Sequence, residues 1–327
     1  AGCMRDASAP GVCARSMVAA AALTRTPGTG AALHHVALGR RSYGARTLAE
    51  EQHDRPPGHS CAAWLGAGSP SLFCFSLMMS RGYEVQLIKA QASWDSGIFA
   101  CNDYVVFSSE RLRLTPADVD CAVWTTRINA SSSAVGNLAI PGQTTRSWLN
   151  SANFHAVWEE IGRTQLFQAH DFTVKVDPDA AFFPERLRQS LRMWAPPVAP
   201  EGTFYVLNCD RGRLAMFGAV EILSRRAAAA AAAQGHRCRA QLPWHGWGED
   251  YFIQKCMDLL GVGTVLDNRV LSDYGGHCTQ SFPTSCALGE TAAFHPLKTV
   301  ESYVACLKDA AQHDALVLQQ QIASFVV

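Results

Sequence analysis

The run Phe172-Thr173-Val174-Lys175-Val176 alternates β-prone residues and stops at Asp177-Pro178-Asp179. Such a run reads as a buried strand. In extended backbone, side chains at i and i+2 share a face, so Asp177 and Asp179 are expected on one side. Pro178 fixes its own φ and removes one backbone donor, which stiffens that tip. Open α/β sheets place their ligands at the C-terminal ends of strands. Two adjacent carboxylates repel unless a cation lies between them. A hard divalent metal that also holds a diphosphate satisfies both.

The surrounding pattern predicts the sheet. Leu72 to Met79 is a continuous apolar run of strand length, broken at Gly82. Glu84 to Ser93 follows at helical spacing, Asp103 to Ser108 reads as the next strand, and Cys121 to Thr125 as a third. Residues 126–143 read as a polar loop. Phe154, Val157, Trp158 and Ile161 then fall at i, i+3, i+4 and i+7, the stripe of an amphipathic helix that Asn150 or Ser151 can cap. Pro184 opens another helix. Beyond a Pro-rich turn at 194–202, Thr203 to Leu207 reads as a strand, and Gly218 to Ala233, ending in seven alanines, as helix. Gly246 to Gly261 holds a further helix, 263–288 reads as loop-rich, and Glu301 to Asp309 as a last helix. Strand–helix–strand alternation predicts α/β with a mostly parallel sheet.

With 327 residues, 48% of them hydrophobic, the chain can fill a sizeable core. Lys+Arg and Asp+Glu balance at 28 each, so nothing calls for nucleic acid or an anionic membrane surface. Of the 12 cysteines, six (Cys209, Cys238, Cys256, Cys278, Cys286, Cys306) crowd the C-terminal third with no C-x-x-C pair. That argues against a zinc ribbon or thioredoxin motif and is explained by disulfides in a secretory compartment, with ordinary buried thiols as the alternative. The sequon Asn129-Ala130-Ser131 points the same way. No apolar run is long enough to span a bilayer, so membrane attachment is expected only through a segment not evident in this chain. Residues 1–68, rich in Ala, Arg, Gly, Pro and His without a sustained period, read as a disordered low-complexity region; 69–310 read as the folded domain, and 311–327 as a tail or helix.

Three further clusters bear on chemistry. Gly246-Trp247-Gly248-Glu249-Asp250 puts two carboxylates at a helix start, where one can cap the helix dipole and one can serve as a general base. The residues alone leave the choice between Glu249 and Asp250 open. His295, in Phe294-His295-Pro296, can complete a metal site distant in sequence, though a lone histidine more often packs. Trp244, His245 and Trp247 can stack on sugar rings or fill a core. His277-Cys278 with Cys286 matches no standard zinc spacing. The P-loop, the G-x-S-x-G elbow and the G-x-G-x-x-G fingerprint are all absent.

In order along the chain stand Leu72-Phe73-Cys74-Phe75-Ser76-Leu77-Met78, Ala92-Ser93-Trp94, Ala100-Cys101-Asn102-Asp103, Asp171 through Asp179, Gly218 through Arg225, Gly248-Glu249-Asp250 with Cys256-Met257 and Leu260-Gly261-Val262, and Phe294-His295-Pro296. This succession, over about residues 71–300, resembles the fringe/core-1 β1,3-galactosyltransferase group, family 31-like glycosyltransferases of the GT-A fold. Two departures stand out: Pro178 replaces a middle aspartate, and the glycine pair before the Gly218 segment is not intact, with Cys209-Asp210-Arg211-Gly212 nearby instead.

The resemblance implies a GT-A-type, Rossmann-like mixed and mostly parallel sheet flanked by helices. It implies Mn²⁺ (or Mg²⁺) as cofactor, a UDP-sugar donor, a glycan or glycoprotein acceptor, inversion of configuration and residence in the Golgi lumen. It makes Asp177, Asp179 and His295 metal ligands, Asp177, Asp179 and Lys175 donor-binding residues, Asp250 the base and Glu249 its supporter. It also carries an alternative: a catalytically inactive relative acting as a sugar- or protein-binding or chaperone-like module. An unrelated metal hydrolase ranks behind both, because the sequence offers it too few ligands.

Overall fold

The computed structural model describes residues 69–325, apart from 119, 120, 132, 195–201, 211–214, 275–277 and 279–285. The expectation for residues 1–68, most of the Pro-rich turn, His277, Arg211 and Gly212 lie outside the described residues.

The first strand, β1 (Leu72–Leu77), is apolar along its length because both its faces are covered. It pairs in parallel with β2 (Asp103–Ser108) on one side and β4 (Phe172–Val176) on the other. A two-residue strand, β3 (Thr126–Arg127), lies parallel to β2 at the sheet's end. Beyond β4 the order continues through β7 (Val220–Ser224), β6 (Phe204–Leu207) and β8 (Gly263–Leu266), completing seven strands. β7 alone runs antiparallel to its neighbours, so the sheet is mixed and mostly parallel, as expected.

Side-chain alternation divides the core. Phe73, Phe75, Val105, Phe107, Tyr205 and Leu223 bury one face against α2 (Ser151–Thr164), α4 (Arg225–Gln241) and α5 (Glu249–Leu259). The apolar stripe of α2 is fully used, with Trp158 meeting Phe75 edge-on at 5.6 Å. Leu72, Cys74, Val106, Val174 and Ile222 bury the other face against α1 (Tyr83–Ser93) and α3 (Pro184–Trp194). A small second sheet, β5 (Ala181–Phe182), β10 (Ala293–His295) and β9 (Leu271–Asp273), adjoins this face. The last helix, α6, runs Val300–Phe325, well past Asp309.

Three local expectations are corrected. Cys121–Thr125 does not enter the sheet. It pairs back on Leu112–Leu114, with Leu114 N–H to Val123 O at 2.8 Å and Thr125 N–H to Leu112 O at 2.9 Å, and only Thr126–Arg127 joins β2. Gly218–Ala233 is not one helix. Val220–Ser224 is a buried strand between β4 and β6, and the helix starts after Ser224, whose Oγ accepts from Ala227 N–H. The alanine run had masked that boundary, since alanine favours helix without marking where it begins. The segment 263–288 holds β8 and β9 within its loops. Asn150 does occupy the cap position of α2, yet its side chain makes no cap bond, and Ser151 Oγ–H donates to Trp247 O instead, at 2.9 Å.

Among the described residues, disulfides join Cys74–Cys101, Cys209–Cys278, Cys238–Cys256 and Cys286–Cys306. The six C-terminal cysteines pair entirely with one another. This disposes of zinc at Cys278 and Cys286, since no thiolate remains there. No helix of the described residues is long and apolar enough to cross a membrane.

Candidate metal and acid–base site

β4 delivers Asp177 to the C-terminal edge of the sheet. The chain does not stay extended there: Ala180 N–H bonds back to Asp177 O at 3.1 Å, so Asp177 to Ala180 form a turn. The period-two argument for the two carboxylates therefore fails locally, yet the turn still leaves them together. Asp179 leads into β5, and β5 pairs antiparallel with β10 so that Phe294 faces Ala181. One step further along β10, His295 lies beside Asp179, with Nε2 3.5 Å from Oδ1. Leu297 N–H to Asp179 O, at 2.7 Å, locks this crossing.

The donor atoms of Asp177, Asp179 and His295 lie within 4.8 Å of one another. Ligand atoms on one ion sit at most about 4.4 Å apart, so a small rotation of the part-exposed Asp177 side chain closes a site. The parallel pair β9–β10 sets Asp273 opposite His295, and Asp273 Oδ1 lies 3.0 Å from His295 Nδ1. A carboxylate behind a histidine fixes the ring and frees Nε2 toward an ion, an outer-shell arrangement common at metal sites. The hard–borderline donor set O, O, N fits Mn²⁺ or Mg²⁺. Burial opposes charge on His295, but the hydrogen bonds to Asp179 and Asp273 outweigh it and push the imidazole up to about 9. Tyr83 O–H donates to Asp179 Oδ2 at 3.1 Å. Beside it, burial raises Glu84 to about 7.

Lys175 lies one turn of the pleat before Asp177 and is 1% exposed. Its ammonium bonds Glu249 and Gly218 O, lies 2.7 Å from Asp177 Oδ1 and 3.7 Å from Glu221 Oε1, and sits over the Phe154 ring. Three strong partners use its three N–H groups. Burial alone disfavours the ammonium; Asp177, Glu249 and Glu221 more than reverse this and hold its proton well above the ordinary range. Glu221 and Glu249 are both raised above the ordinary carboxylate range, by burial first, with Lys175 opposing the shift at each.

Asp250 stands at the opening of α5, Oδ1 accepting from Tyr251 N–H at 2.7 Å and Oδ2 from Gly218 N–H at 3.3 Å. Burial and the neighbouring Glu249 push it up to about 7. Gly218 sits tight against both carboxylates: a Cβ there would fall 2.9 Å from Glu249 Oε1 and 3.1 Å from Asp250 Cβ, so a larger residue would have to shift them. Asn208 holds the Gly218 loop through Phe217 N–H (2.7 Å) and Val220 O (2.6 Å).

All six residues singled out from the sequence thus gather on one sheet edge: Asp177, Asp179 and His295 as a metal-competent group, Lys175, Glu249 and Asp250 as a charge cluster joined to it through Asp177. Lys175, expected to touch the donor, is occupied internally. The aromatic trio is split: Trp244 stacks on His245 at 4.1 Å and meets His155, whereas Trp247 packs on Tyr251. Sequence reading missed Tyr83, Asn208, Glu221 and Asp273. Glu221 was hidden by the helix reading of its strand, and Asp273 lies in a three-residue strand too short to show a period.

No protein family and no curated protein matches the chain. Among solved structures, a glycosyltransferase involved in the glycosylation of the major capsid of PBCV-1 is similar at 11% identity and a TM-score of 0.39, over 69% of this chain and 92% of that one. At that identity and score the likeness assigns neither family nor activity.

Proposed function

We propose that this chain is a metal-dependent, inverting glycosyltransferase that moves a hexose from a UDP-sugar to a hydroxyl of a glycan or glycoprotein. The observation that carries this reading is the meeting of Asp177, Asp179 and a carboxylate-backed His295 beside a carboxyl poised near neutrality. Asp177, Asp179 and His295 would hold Mn²⁺ or Mg²⁺. Such an ion, when bound, neutralises charge on a diphosphate leaving group.

The chain's own residues do the rest. Lys175 positions Asp177 from behind, and Tyr83 fixes Asp179 by its hydroxyl. Asp250, ionised near neutral pH, takes the proton from the acceptor hydroxyl as its oxygen attacks the anomeric carbon. Glu249 supports it through burial and charge. One displacement, with base and leaving group on opposite sides of the sugar, inverts the centre. The disulfides suit the lumen of the secretory pathway, and we place the protein in the Golgi on the family resemblance.

A binding-only relative remains the second reading, supported by the ion pair that engages Asp177 with Lys175 and by Pro178. Turnover separates them. Release of UDP from a panel of UDP-sugars with Mn²⁺ should be abolished in Asp250→Asn, while that variant still binds UDP with Mn²⁺. Binding without turnover in the unaltered chain on every acceptor would establish the second reading; full turnover in Asp250→Asn would refute the role of Asp250.

A further inference from the structure

We propose that Asn129 carries an N-linked oligosaccharide. Asn129-Ala130-Ser131 is the single Asn-X-Ser/Thr sequence in the chain. The structure sets it where a glycan can persist after folding. Ile128, buried and bonded to Ser108 O at 2.9 Å, anchors the segment just past β3, and Asn129 next to it is exposed. Ala130 N–H bonds back to Ile128 O at 3.0 Å, a tight turn centred on Asn129. The Asn129 side chain makes no hydrogen bond to another described residue. Ser131, by contrast, is clamped. Its N–H donates to Asn153 Oδ1 at 2.8 Å, and its carbonyl accepts from Asn153 Nδ2 at 3.0 Å. Among the described residues the acceptor amide thus has no bonded partner and stands on a fixed stub.

Compartment and fold agree with this. All nine described cysteines are disulfide-bonded, which fits folding in an oxidising lumen, where lipid-linked oligosaccharides are also found. There the Asn129 amide nitrogen loses a proton and forms a C–N bond to the anomeric carbon. The bond from that carbon to the lipid diphosphate carrier breaks, and the diphosphate leaves. The consequence is local: β3 pairs only with β2 among the described residues, so its outer edge is open. Open edges template pairing with other chains, and a bulky hydrated glycan two residues beyond β3 would cover this one. Because β3 runs parallel to β2, the glycan would stand at the same sheet edge as Asp177, three strand spacings or about 14 Å away, bordering the site with two strands between.

The full chain expressed through a secretory route should lose one glycan's mass on treatment with peptide N-glycosidase, and peptide mapping should place it at Asn129. Asn129→Gln and Ser131→Ala should abolish the shift and Ser131→Thr keep it, with UDP binding unchanged in all three. An unmodified Asn129 peptide from that chain, whether or not its disulfides have formed, would overturn the proposal. So would a mass shift that survives Asn129→Gln.

Discussion

Asp250 holds its proton in the folded state to about 7, against the ordinary aspartate range in the unfolded chain. The folded state therefore binds more protons between the two values. The stability this contributes is complete below the unfolded pKa and is lost as pH rises through about 7. Asp250→Asn removes the ionisation. The variant's melting temperature relative to the parent should be higher at about pH 8 than at about pH 5; an equal difference at both would show that Asp250 titrates normally. At this scale the sequence was most legible where residue type carries the chemistry. Asp177, Asp179, His295, Glu249 and Asp250 stand out by charge and by their glycine or proline neighbours. Asp273, Glu221 and Asn208 did not, because their role comes from register across strands, which residue order alone does not display.

The elements divide in the same way. β1, β2, β4 and α2 were readable because their periods are strong and their ends are marked, by Gly82, Asp177 or the Asn150 region. β7 and α4 were not, since a five-residue buried strand ran straight into an alanine-rich helix. The alanines have a packing role beyond propensity. Ala227, Ala228 and Ala231 are buried between α4 and its neighbours, and Gly162 of α2 faces Ala232, where an added Cβ would sit at an ordinary contact distance of 3.6 Å. Small side chains let the two helices approach. Ala228→Leu should cost about 1–3 kcal/mol by overpacking, read as a lower urea midpoint with unchanged slope. A neutral result would mean that the interface is looser than described.

At the scale of the whole molecule, the described residues form a mixed sheet whose C-terminal edge collects the site, tied at several points by disulfides. Cys286–Cys306 closes the loop leading to β10 onto α6, the side from which His295 enters. Replacing both cysteines by serine should cost about 2–4 kcal/mol, seen as a lower melting temperature under non-reducing conditions; an unchanged value would mean the bond is not formed in solution. The α/β class was legible from alternation alone, whereas the second sheet was not, because its strands are two or three residues long and distant in sequence. That sheet is what brings His295 to Asp179. The central claim is that these residues hold a divalent ion beneath a nucleoside diphosphate. Its most direct test is thermal stabilisation by UDP with and without Mn²⁺, since a ligand that binds only the folded state raises its melting temperature. A shift that requires both and disappears in Asp179→Ala is the predicted result. No shift with UDP and Mn²⁺ together, or an undiminished shift in Asp179→Ala, would contradict it.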